Sequence, residues 1–103
     1  MKNPFDQLDK VLEHSIRLRI MVVLAANPSY DYNGLKTLLE VTDGNLATHL
    51  KTLEREKYVS VNKSFVDRKP NTRYRISERG RTALKKHMEA MAEVVRQGKN
   101  AQQ

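Results

Sequence analysis

The chain has 103 residues, 39% of them hydrophobic, no cysteine, and a formal charge of +7 with a pI near 9.9. That length fits one domain with a small core, and the lack of thiols excludes a disulfide framework, a thiolate metal site and a cysteine nucleophile. The cation excess points to a polyanionic partner, while the N-terminal MKNPFDQLDK lacks an apolar signal core and the longest apolar run, Ile20 to Ala26, is too short to span a bilayer. The expectation is a soluble, cytoplasmic protein with no membrane partner.

Asn3-Pro4 reads as a helix start, with Asn as N-cap, and Phe5, Leu8 and Leu12 follow at helical spacing to an end near Glu13. Ser15 is placed to cap a second helix with Ile16, Ile20, Val23 and Leu24 as its apolar stripe, stopped by Asn27-Pro28. After a turn, PSYDY, Asn33 is placed to cap a short third helix with Leu35, Leu38 and Leu39 inward. Val41-Thr42 then turns tightly into a fourth helix, which makes a helix-turn-helix candidate.

The fourth helix, TDGNLATHLKTLER, carries the most specific chemistry. Leu46, Leu50 and Leu53 form an apolar seam, and Gly44, Thr48, Lys51, Thr52 and Arg55 project to the other side. A small, polar and basic face suits a DNA major groove, where short side chains approach base edges and long cations reach phosphates. From Tyr58 the period changes to two: Val59 and Val61 alternate with Ser60 and Asn62, and later Tyr74 and Ile76 with Arg73 and Arg75. This is a hairpin whose tip, Val66 to Thr72, mixes turn formers with cations; residues 59–76 hold five basic side chains and one acidic, so the hairpin is the basic hot zone. Ser77 caps a last helix with Leu84, Met88, Met91 and Val95 on one face, followed by a polar, frayed tail from Gln97.

These blocks, in this order, resemble the stand-alone winged helix-turn-helix transcriptional regulators related to the MarR and ArsR-type families. The carriers are SIRLRIMVVL, LKTLLEVTDGNLATHLKTLEREKYV and KSFVDRKPNTRYRISERGRTAL, and the resemblance runs from about Leu8 to Val95. It implies a mainly α fold with a small β-hairpin: a three-helix core, a recognition helix, a wing and a C-terminal dimerisation helix, forming one domain over residues 1–96 with a tail over 97–103. Lys57 departs from the pattern, which usually has glycine before the Tyr-Val of the strand. The family implies a homodimer on double-stranded DNA, with the recognition helix in the major groove and the wing on backbone or minor groove. The residues agree with that chemistry. Thr42 can cap the recognition helix and leave its free amides to a phosphate, Gly44 gives DNA room, and Asn45, Thr48 and Thr52 suit base edges. Lys51 and Arg55 suit guanine or phosphate, and Lys63, Arg68, Lys69 and Arg73 suit the flanking backbone or minor groove.

Each feature has a plainer reading. The outer face of the fourth helix resembles any solvated helix surface, and hairpin cations also protect sheet edges; five cations against one acid exceed that need. His49, beside the Leu46 and Leu50 seam, reads as a partly buried structural residue. His14, His49 and His87 never fall at i, i+3 or i+4, so no metal site or cofactor is expected, and no nucleophile and base constellation supports an enzyme. The last helix is apolar beyond one seam, with Ala83, His87, Ala90 and Val94 beside the first stripe. Dimerisation through Phe5, Leu8, Leu12, Leu84, Met88, Met91 and Val95 follows as the expectation, and the Met-rich face leaves room for a small effector of undefined chemistry. The rival readings are a protein-interaction module whose basic wing meets an acidic partner, and a nonspecific architectural DNA binder.

Overall fold

A computed structural model describes residues 3–101. The N-terminal segment forms a 3-10 turn, Pro4–Gln7, and four α-helices and three strands follow: α1 (Ser15–Ala26), β1 (Tyr30–Asp31), α2 (Tyr32–Leu39), α3 (Asp43–Arg55), β2 (Val59–Val66), β3 (Lys69–Ile76) and α4 (Glu78–Ala101). The strands make one antiparallel sheet in the order β1-β3-β2. This is a winged helix-turn-helix layout. Leu12, Ile20, Met21, Leu24, Leu35, Leu46, Leu50 and Leu53 are fully buried or nearly so, and α1 is the central strut, touching α2, α3, α4 and β3. Deleting a leucine side chain from such a core costs about 2–5 kcal/mol.

The first expected helix is the clearest departure. Asn3 does cap the Pro4–Gln7 turn, its side chain accepting from the Phe5 N–H at 3.0 Å, but Leu8 is extended and the helix stops there. Asp9 imposes the break. Its N–H donates to His87 Nδ1 on α4 (2.9 Å), and its carboxylate accepts from the Val11 N–H (2.8 Å) and the Tyr58 hydroxyl (2.5 Å). A helix through Asp9 would take that amide away from His87. The knot ties the N-terminal segment to α4 and to the start of β2, and burial, aided by the Asp9 hydrogen bond, pushes the Tyr58 phenol up to about 12.

Other corrections concern ends and edges. His14, not Ser15, caps α1, its Nδ1 accepting from the Ile16 N–H at 3.2 Å. Asp31, not Asn33, caps α2: Tyr30 and Asp31 pair with Tyr74 and Arg73 of β3, and the Asp31 carboxylate then accepts from the Gly34 N–H at 3.1 Å. Leu38 is 53% exposed because only Leu35 and Leu39 of this eight-residue helix reach the core. The hairpin strands also run further than expected, so Lys69, Pro70 and Asn71 belong to β3 and the turn is Asp67-Arg68 alone. Both turn residues have positive φ (50° and 66°), the type I′ geometry whose twist matches paired strands. Ser77 behaves as expected, its hydroxyl accepting from the Gly80 N–H at 2.9 Å. The expected tail from Gln97 is helical as far as Ala101; the remainder of it, and the first two residues of the expected domain, lie outside the described residues.

Candidate nucleic-acid interface

α2 and α3 are held as a unit by short-range bonds around the turn. Val41 N–H reaches Lys36 O and Glu40 N–H reaches Thr37 O, with Glu40 at φ 53°, so α2 ends in a Schellman turn carrying a non-glycine residue. Across the turn, the Tyr32 hydroxyl donates to Asp43 O (3.1 Å), and Lys36 Nζ lies 3.0 Å from the Asp43 carboxylate. Burial, together with Asp43, raises the Tyr32 pKa above its ordinary value. The Lys36–Asp43 pair is exposed and contributes little stability. It lies on the outside of the turn, beside the Tyr32–Asp43 hydrogen bond.

Thr42 is the N-cap of α3, its hydroxyl accepting from the Asn45 N–H at 3.2 Å. The inward seam is Leu46, Leu50 and Leu53, while Gly44, Asn45, Thr48, Lys51 and Arg55 are exposed. A Cβ added at Gly44 would meet nothing within 4 Å, so no packing within the chain requires glycine there. Thr52 is half-buried and its hydroxyl donates to Thr48 O at 3.2 Å, which leaves it less free than Thr48. Ala47 is also exposed on this face, a residue the polarity pattern passed over; a small apolar side chain there can meet a thymine methyl. α3 closes on a second Schellman turn, Tyr58 N–H to Leu53 O and Lys57 N–H to Glu54 O, with Lys57 at φ 61°. Lys57 therefore adopts the left-handed backbone that glycine favours.

A cleft of about 300 Å³ separates α3 from the wing, lined by Tyr32, Ala47, Lys51, Glu54, Val61, Lys63 and Tyr74. It brings Lys51 and Lys63 to one surface. Arg68 lies in the wing turn and is exposed; Lys69 is exposed too, but it pairs with Val66 on the wing face away from Lys63. Arg73 does not join them: it is half-buried, and its Nε donates to Ser29 Oγ at 2.9 Å. That bond ties β3 to the loop before β1 and draws Arg73 to the opposite wing face from Lys63. Its cross-strand partner Asn62 precedes Lys63, so alternation separates the two cations.

The histidines have structural positions. His87 is 2% exposed in the Asp9 knot, and His49 packs against His14 with ring centroids 4.0 Å apart and the ring planes tilted by 39°. Burial, then His14 and Arg17, lower the His49 pKa. Among the described residues, no group of three or more His, Cys, Asp or Glu could hold a metal ion, and no helix is long and apolar enough to cross a membrane.

The model of the family described as winged helix DNA-binding domain matches residues 16–95, from the first residues of α1 well into α4. The chain belongs to that family. This winged helix is thus a DNA-binding domain of a non-enzymatic class. It is 34% identical over 79 residues to an uncharacterized protein of Methanocaldococcus jannaschii, covering 77% of this chain and 86% of that one. The solved structure of a transcriptional regulator homologue from Pyrococcus horikoshii is 29% identical, with a TM-score of 0.77 over 82% of this winged helix and 84% of that chain. The transcriptional repressor BigR of Xylella fastidiosa shares the fold at 19% identity, with a TM-score of 0.63 over 82% and 80% of the two chains.

The expected dimer residues separate into two groups. Leu12 is wholly buried and Leu84 is 8% exposed, both within the subunit's own core, so neither belongs to an outer face. Phe5 (59%), Met88 (48%) and Val95 (55%) are exposed, with Leu8 and Met91 half-buried. α4 turns Gly80, Leu84, His87 and Ala90 inward, the N-terminal segment covering part of that face. Leu18 of α1 joins Leu8, Met91, Val94 and Val95 around an apolar groove of about 240 Å³, which the sequence pattern had not singled out.

Proposed function

We propose that this winged helix is a sequence-specific transcriptional regulator of double-stranded DNA that works in the cytoplasm as a homodimer. The observation that carries the reading is the outward face of α3. Gly44, Asn45, Thr48 and Lys51 are all exposed, and Lys63 stands across a cleft from Lys51. In the proposed complex α3 lies in the major groove with Asn45 and Thr48 at base edges and Thr52 behind them. Thr42 and the free amides of the first turn meet a phosphate, as do Lys51 and Arg55. Lys63, Arg68 and Lys69 hold the flanking backbone; Arg73 contributes by bracing β3.

The dimer part of the proposal rests on shape and exposure. The radius of gyration is 15.7 Å, against about 13 Å for a compact domain of this length, and the longest extent is 59 Å. The excess comes from the wing and from α4, a 24-residue helix whose far part carries exposed Met88 and Val95. Phe5, Leu8, Met88, Met91 and Val95 form the proposed contact between copies, setting the two α3 helices about one DNA turn, roughly 34–36 Å, apart. A small effector would find its place in the 430 Å³ cavity between the N-terminal segment and α4, which borders Tyr58, Arg79, Lys86 and His87.

Selection from random duplex DNA tests the proposal. The expected product is a pseudo-palindrome with half-sites one turn apart, bound with an affinity that falls steeply as salt rises. A pool that gains no consensus would overturn sequence-specific regulation in favour of architectural binding.

A further inference from the structure

The tip of the wing carries an apolar side chain that neither the core nor the cation pattern explains. Phe65 is 76% exposed, the highest exposure among the large hydrophobic residues that stand out of the core. Its cross-strand partner is Pro70. The two-residue turn makes Val66–Lys69 the hydrogen-bonded pair, so Phe65–Pro70 is a close, non-bonded pair and the proline ring lies beside the phenyl group. Pro70 lies beyond the reach of β1, which meets only Arg73 and Tyr74, so its missing N–H costs the sheet nothing. An apolar pair at the end of a solvated hairpin is an aggregation liability with no return in folding.

Strand alternation fixes which way the pair faces. Phe65 shares its side of β2 with Val61 and Lys63, and Pro70 shares its side of β3 with Tyr74. Val61, Lys63 and Tyr74 line the cleft against α3, together with Ala47 and Lys51. Phe65 and Pro70 therefore continue the α3 side of the wing outward. Four residues of extended strand carry Phe65 roughly 13 Å past Val61, comparable to the roughly 17 Å of half a DNA turn that separates a major groove from the next minor groove. Near the pair stand Lys63, on the same wing face, and Arg68, in the turn, cations suited to the phosphates beside that groove.

We infer that Phe65, backed by Pro70, is a wedge that enters the minor groove beside the half-site and partly unstacks one base step, bending the duplex. The inference rests on the DNA-binding reading and extends it from contact to deformation. Side chains of this type kink DNA by about 20–90° toward the major groove, preferring flexible pyrimidine–purine steps. The wing then contributes sequence preference at a position where it makes no hydrogen bond to a base.

The test uses the full chain and a duplex taken from the bound fraction of a random-sequence selection, labelled at both ends for energy transfer. Wild-type protein is expected to shorten the end-to-end distance. Phe65→Ala should abolish the bend and weaken binding about tenfold, and Phe65→Leu should restore most of both. Val66→Ala, on the other wing face, should bend as wild type does. Thermal midpoints of the Phe65 variants should match wild type, since the side chain lies outside the core. Binding without bending, or an equal bend from Phe65→Ala, overturns the wedge while DNA binding stands. No binding by wild type at low salt overturns both. A Phe65→Ala protein that loses its bend only by unfolding, with Phe65→Leu failing likewise, would make Phe65 structural and also overturn the wedge.

Discussion

α3 and α4 each hold a glycine within the first three residues of the helix, and the two glycines are there for opposite reasons. A Cβ at Gly80 would lie 2.2 Å from Tyr58 O, because α4 crosses the start of β2 with backbone against backbone. A Cβ at Gly44 would meet nothing within 4 Å. One glycine is required by the fold and the other is left open by it. The same contrast runs along both helices. α3 divides cleanly into a leucine seam and an unused polar face, whereas α4 buries Gly80, Leu84, His87 and Ala90 and exposes a second apolar set at Met88 and Val95. A polar face that packs on nothing points outward to a polyanion, and an apolar one points to another apolar surface.

The largest effect that sharpens this contrast is Gly80→Ala. The added methyl collides with backbone, which cannot rotate away, so a loss of about 2–3 kcal/mol is expected in a denaturant titration. An unchanged midpoint would mean that α4 and β2 do not approach as described. Gly44→Ala should act in the opposite sense on stability, gaining up to about 1 kcal/mol from helix propensity, while weakening DNA binding. Equal DNA affinity in that variant would remove the outward face of α3 from the interface. Lys57→Gly relieves a left-handed residue but loosens the unfolded chain, and a net gain of about 0.5 kcal/mol is expected by thermal unfolding. A loss would show that the Lys57 side chain has a role beyond its backbone.

The smallest effect is that of pH. His49 has a lowered pKa in the folded protein, from burial and then from His14 and Arg17, so the unfolded chain takes up its proton first as pH falls. The neutral ring's contribution is therefore present above the unfolded value of about 6.5 and is lost as pH falls below it. The thermal midpoint should drop modestly between about pH 7.5 and 5, and His49→Gln should flatten that drop. A steeper fall in the variant would assign the sensitivity elsewhere.

Much of α3 and of the hairpin was legible because their signals are local. Thr42 caps by its own hydroxyl, Leu46, Leu50 and Leu53 repeat at 3.6, and Val59, Val61, Tyr74 and Ile76 alternate. The N-terminal segment was not legible, since Asp9 breaks the helix through partners at Tyr58 and His87, far along the chain. The inward placement of Leu12 and Leu84 was hidden for a related reason: α4 has apolar side chains around much of its circumference, and periodicity cannot say which of them meets its own subunit. β1 was missed because two residues are too few to show a period, and the turn at Asp67-Arg68 because neither residue is the glycine that usually marks positive φ. Arg73 counted as a cation in sequence, yet its bond to Ser29 takes it off the shared surface. Phe65 lacked the charge that marked its neighbours, and only the register with Pro70 reveals its side of the wing.

The central claim is a division of labour between the free face of α3 and the wing, and binding of one selected and one scrambled duplex by Thr48→Ala and Arg68→Ala proteins tests it most directly. Thr48→Ala should lose about 1–3 kcal/mol on the selected duplex and almost nothing on the scrambled one, while Arg68→Ala should weaken both similarly and reduce the salt slope by about one. Equal losses from both variants on both duplexes would contradict the account, because α3 would then be gripping DNA without reading it.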